Sequence, residues 1–125
     1  PHAISYPFTS LYNISHGHAV SLTLEKFIKF NYLNFSKSDC NFNLKNRYED
    51  IFSIFKVIDI YDFENFIINL KKKANLESDF TKLKIDLSND FGKIMRGVNQ
   101  LRLRNNPIKL KKADIKTILL NKIKY

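Results

Sequence analysis

PHAISYPFTSLYNISHGHAVSLTLEKFIKFN, residues 1–31, holds all three histidines of a 125-residue chain, His2, His16 and His18, and its second half reads as one buried helix. Over 19–30, Ala19, Val20, Leu22, Leu24, Phe27, Ile28 and Phe30 cover most of a helical surface, with Glu25, Lys26 and Lys29 on the remainder. Such a helix belongs in the middle of a fold. His2 and His16 are too far apart to act from one helix face, but two helix ends meeting over a kink would bring them together. Pro7 and the turn-like YNIS of residues 12–15 are read as that break. Spacing alone leaves two readings open: two surface histidines near a chain end, or part of a metal site, for which two imidazoles fall short of the usual three protein ligands. His18, two residues from His16, points to a different side of the helix.

Outward from this stretch the pattern stays helical. Residues 30–46, dense in Asn, Ser and Lys, read as a loop. Tyr48, Ile51, Phe52, Phe55 and Ile58 recur at helical spacing, as do Phe63, Phe66, Ile67 and Leu70 behind an expected N-cap at Asp62. KKKAN then places cations on the negative end of that helix and offers Asn75 as a left-handed cap. Lys71, Lys72 and Lys73 read as a solvated face rather than a phosphate patch. A short helix is expected over 79–84. Another opens at Ser88 and Asp90 with Phe91, Ile94, Met95 and Val98 inside, weakened by Gly92 and Gly97. RLRNNP is a stop, because the residue before proline is pushed out of the helical region. Ile115, Ile118, Leu119 and Ile123 carry a last helix. No paired strands, repeat or glycine-rich phosphate loop is visible. The expected fold is all-α, a single domain over 1–125.

Composition narrows the function. A hydrophobic fraction of 44% excludes a disordered chain, and no apolar run approaches a membrane span. With neither signal nor transit peptide visible, and one cysteine, a cytoplasmic location is expected. Cys40, between Asp39 and Asn41, reads as a bystander thiol. Ser5, Ser10, Ser15 and Ser21 lack the strained elbow and the oriented acid that a nucleophilic serine needs. The net charge of +9 is concentrated at the end, where residues 100–125 carry eight Lys/Arg against the single Asp114. Part of that basicity follows from a composition rich in Asn, Ile and Lys.

Residues 1–31 resemble the signature of the iron-containing (group III) alcohol dehydrogenases: His2, Pro7, the turn through Asn13 and Ile14, the His16-Gly17 pair, Ala19 and the closing Phe30-Asn31 fall in that family's order and intervals. VNQLRLRNNPIKLKKADIKTIL resembles its C-terminal segment, where an Asn-Pro turn precedes the last helix. The resemblance implies an all-helical domain beside an N-terminal dinucleotide-binding domain, with Fe2+, or Zn2+ in some members, held between them by an aspartate and three histidines. His2 and His16 match the last two of those ligands. It implies NAD(P)H as cofactor and a small alcohol or aldehyde as substrate. Where many members have another histidine, this chain has Tyr6, whose phenol either donates to a polar substrate or fills volume. Tyr6, HGHAV and NNP are similar to the branch that reduces phosphonoacetaldehyde and related small polar aldehydes. Gly17 would allow close approach to the metal, or simply open a helix. His18 would be a donor behind the ligands or uninvolved, and Asn106-Pro107 would do no more than cap and turn.

The chain is therefore expected to be the C-terminal piece of such an enzyme, inactive alone, with its partner domain missing and a homodimer allowed by the face this leaves exposed. The alternatives are a small basic helical module binding nucleic acid through residues 100–125, marked by salt-sensitive binding, or a glycerol dehydrogenase or dehydroquinate synthase relative.

Overall fold

The computed structural model describes residues 1–123, and among them every regular element is helical. The helices are α1 (His2–Tyr12), α2 (His16–Ser21), α3 (Leu24–Leu33), α4 (Leu44–Phe55), α5 (Ile60–Lys73), α6 (Phe91–Gly97), α7 (Gln100–Leu103) and α8 (Lys112–Leu119), with a 3₁₀ turn at Phe35–Lys37. A single bridge between Ser38 and Ile108 ties the loop after α3 to the segment before α8. α1 packs on α2, α6 and α7, and α3 packs on α4, α5 and α8. The core between them is built from Ile4, Phe8, Leu22, Phe27, Ile94, Ile115, Ile118 and Leu119. None of the helices is long and apolar enough to cross a membrane.

Pro7 does not break the chain: it sits inside α1. Its ring removes the N–H that would bond the carbonyl of Ala3. That carbonyl accepts instead from the backbone N–H of Asn99 at 3.2 Å, just beyond α6. The missing donor thus becomes a docking point for the α6–α7 junction. The reversal comes from Asn13, left-handed at φ 53°, which Asn tolerates well and which ends α1; extended Ser15 then opens α2.

The expected helix over 19–30 is two helices, parted at Leu22–Thr23 without a proline or glycine. The cause is tertiary. The Ser21 hydroxyl donates to the His18 carbonyl at 2.7 Å, and the Ser21 carbonyl accepts from Lys71 Nζ at 3.2 Å. The same ammonium donates to Glu25 Oε1 at 2.8 Å. Lys71 and Glu25, each 5% exposed, are therefore core residues, and neither the solvated lysine face nor the polar edge of the helix holds at these positions. Lys29 likewise lies in a half-buried ion pair with Glu64 at 2.7 Å.

Further differences are local. Asp59, not Asp62, caps α5, accepting from Tyr61 N and Asp62 N, while Asp62 accepts from Ile58 N. Residues 79–84 form one turn rather than a helix, because Lys84 adopts a left-handed φ of 59° and ends it. Ile123 lies beyond α8 but still packs on the core. Asn75 is left-handed, as KKKAN predicts.

Tyr12, at the end of α1, donates to Asp90 Oδ2 at 2.8 Å at the start of α6. Burial, then Asp90, push the Tyr12 phenol up to about 12. The bonds from Tyr12 and Lys93 hold the Asp90 carboxyl below its ordinary 3.8. A depressed folded pKa contributes stability that is present above the unfolded value and lost as pH falls through the folded one. The melting temperature should therefore drop as pH falls from about 4, and less steeply in Asp90→Asn, which keeps an acceptor for Tyr12 but does not titrate. Equal acid slopes for both proteins would contradict this.

Candidate metal centre

His2 opens α1 and His16 opens α2. Because Asn13 turns the chain and residues 13–15 carry it back along α1, His16 meets the first turns of that helix. The imidazole centres of His2 and His16 are 5.4 Å apart with planes inclined at 33°, and the Tyr6 ring centre lies 5.8 Å from that of His16. Both histidines are exposed, so the pair faces out of the domain.

Ser5, fully buried, reaches both residues, and nothing in the sequence marks it for this place. Its hydroxyl donates to the His2 carbonyl at 2.8 Å and lies 3.4 Å from His16 Nδ1. With its proton committed to the carbonyl, the oxygen can only accept from Nδ1–H, which leaves Nε2 of His16 bare and able to bind a cation. His18 is engaged elsewhere: its Nε2 donates to the Glu77 carbonyl at 2.6 Å and ties down the segment after α5. Gly17 has open space around it, so packing within the described chain does not demand glycine there.

Behind the pair, Asn31 and Asn106 exchange side-chain amide bonds at 3.0 and 2.9 Å, and Asn106 also donates to the Ile108 carbonyl at 2.8 Å. Asn106 therefore does more than turn the chain: it locks α3 to the segment before α8. Together with His2, Tyr48, Arg102 and Asn105 these amides line a pocket of about 420 Å³.

The donor set suits a borderline divalent ion. Two imidazoles bound to one tetrahedral cation at about 2 Å have ring centres roughly 5 Å apart, close to the separation seen. Among the described residues no group of three or more His, Cys, Asp or Glu converges.

Comparison with curated proteins and with solved structures gave no match. A family model, described as the Fe-containing alcohol dehydrogenase family, C-terminal, matches residues 1–123. With nearly the whole length matched and an all-helical fold, the chain belongs to the iron-containing alcohol dehydrogenase family and carries its C-terminal domain.

Proposed function

We propose that this chain is the helical half of an NAD(P)-linked alcohol dehydrogenase or aldehyde reductase, with His2 and His16 supplying two ligands to a divalent metal, Fe2+ or Zn2+. The observation that carries the reading is the approach of the two exposed imidazoles to 5.4 Å between ring centres. An aspartate, a further histidine and the nucleotide-binding domain would come from outside these residues. When bound, the metal supplies a Lewis acid for the oxygen of a small alcohol or aldehyde.

The chain's own residues orient and hold. Ser5, accepting from Nδ1–H, favours the tautomer of His16 in which Nε2 is free to bind. Tyr6, half-buried beside His16 and without a hydrogen bond among the described residues, has its phenol free to donate to substrate.

Two ligands bind weakly, and a hydride cannot move without its carrier. Calorimetry should show weak zinc binding to the 125-residue chain, abolished in His16→Ala, and the chain alone should turn over no aldehyde with NADH or NADPH. Tight stoichiometric binding, or turnover, would overturn this assignment.

A further inference from the structure

Lys26, on α3, lays its Nζ over the ring of Phe80, 4.5 Å from the ring centre, in the wall of a pocket of about 680 Å³. Phe80 packs on the buried ring of Phe8, 5.7 Å between centres, so the platform under the lysine is anchored in the core. Carboxylates lie near the amine, yet each has another partner. Glu25 Oε1 accepts from Lys71 at 2.8 Å and Glu64 Oε2 from Lys29 at 2.7 Å, while in the pocket wall Asp79 Oδ1 accepts from Thr81 N at 2.8 Å and Asp86 Oδ1 from Ser88 N at 2.9 Å. Among the described residues Lys26 forms no ion pair, and Lys84 in the same wall adds a like charge. A half-buried ammonium without a counter-ion loses hydration and gains little in return. Burial, the largest effect, lowers the amine below the usual lysine range; Lys71 adds to it, and Glu25 and Glu64 oppose it.

We propose that Lys26 is a site of covalent acylation, taking a small acyl group from an activated donor, an acyl phosphate or a thioester. Its pocket shares no wall residue with the one beside His2, so the acylation does not depend on the dehydrogenase reading. Reaction needs the uncharged amine, and a desolvated lysine with no carboxylate of its own supplies more of it at neutral pH than a lysine in water. The Nζ lone pair attacks the acyl carbon. The N–C bond forms as the C–O bond to phosphate, or the C–S bond to the thiol, breaks; the electron pair leaves with the phosphate or thiolate, and one amine proton passes to water. The neutral amide removes a cation that the pocket leaves without a counter-ion, and its acyl group covers the apolar wall at Ile85, Leu87 and Leu119. Lys29 and Lys71 are also set into the fold, but each donates from Nζ to a carboxylate.

The test treats the folded 125-residue chain with acetyl phosphate and, separately, with acetyl-coenzyme A, stopped at low conversion, and reads acetylation of each lysine by mass spectrometry. Near neutral pH, Lys26 should react about fivefold or more faster than the exposed Lys56, Lys73 and Lys109 with at least one donor, the faster donor naming the source. Its rate should also level off at a lower pH than theirs, which accessibility alone would not produce. In concentrated urea the difference should vanish. Thr81→Glu, at an exposed position in the same wall, supplies the missing carboxylate and should bring Lys26 to within about twofold of the exposed lysines. Lys26 reacting no faster than Lys56 with either donor would overturn the site. An excess that survives urea, or that Thr81→Glu leaves untouched, would overturn it as well, since the pocket would then not be its cause.

Discussion

Lys71→Ala is expected to cost about 3–5 kcal/mol of folding stability, a large share of what a small domain has. The ammonium it removes is 5% exposed and serves two acceptors at once, the Glu25 carboxylate and the Ser21 carbonyl released where α2 and α3 part. Without it a carboxylate stays buried with no cation, and its Oε2 already has no hydrogen bond. Taking out both charges avoids that penalty, because a buried ion pair is stabilising mainly relative to half of itself. Lys71→Met combined with Glu25→Leu should therefore recover most of the loss. Urea denaturation of the two variants checks it, and a double variant no better than Lys71→Ala would contradict it. The loss should reach the histidine pair as well, since Ser21 ends the short helix that His16 begins.

Two glycines of one helix should respond to alanine with opposite signs. By intrinsic propensity each substitution would stabilise α6 by up to about 1 kcal/mol. At Gly92 a Cβ meets only the far end of Arg96, at 3.8 Å, so the propensity gain should appear. At Gly97 a Cβ would lie 2.9 Å from the Cβ of Pro7 and 3.4 Å from its Cα. That ring is held in the middle of α1 and cannot move aside. Moving α6 away would stretch the bond from Asn99 N–H to the Ala3 carbonyl that Pro7 leaves free. Gly97→Ala should thus destabilise by about 1–3 kcal/mol. Thermal melts of the two variants decide it, and a stabilised Gly97→Ala would show that α6 does not press on Pro7.

Much of the fold was legible because helices announce themselves by where their apolar residues recur. Phe52, Phe63, Ile67, Ile94 and Ile115 lie inside, on the faces their spacing assigns them, whereas Phe55, Ile58, Phe66 and Leu70 from the same expected faces are exposed. Two of the failures share one physical cause. A helical wheel sends every charge to solvent, so it cannot see that Lys71 and Glu25 neutralise each other across two helices, nor that their pairing is what allows a helix break with no breaker residue. Pro7 misled in the same way: read alone it is an interruption, yet with a partner for the Ala3 carbonyl it becomes a tolerated residue with a purpose. The histidines show the limit most plainly. A separation of fourteen positions favours two idle surface residues over a metal pair, and the left-handed turn at Asn13 together with the return of residues 13–15 is what brings the rings together. Ser5 carries no signature, and the resemblance picks out Asn31 and Asn106 without revealing that they pair, since such roles exist only in contacts between distant segments.

The pair itself can be watched directly. Zinc titrated into the 125-residue chain while the imidazole nitrogens are followed by NMR should move Nε2 of His16 and a ring nitrogen of His2 along a single binding curve, with His18 unmoved. Two unrelated curves, or a response at His18 in place of His2, would mean that the imidazoles at positions 2 and 16 do not share a cation.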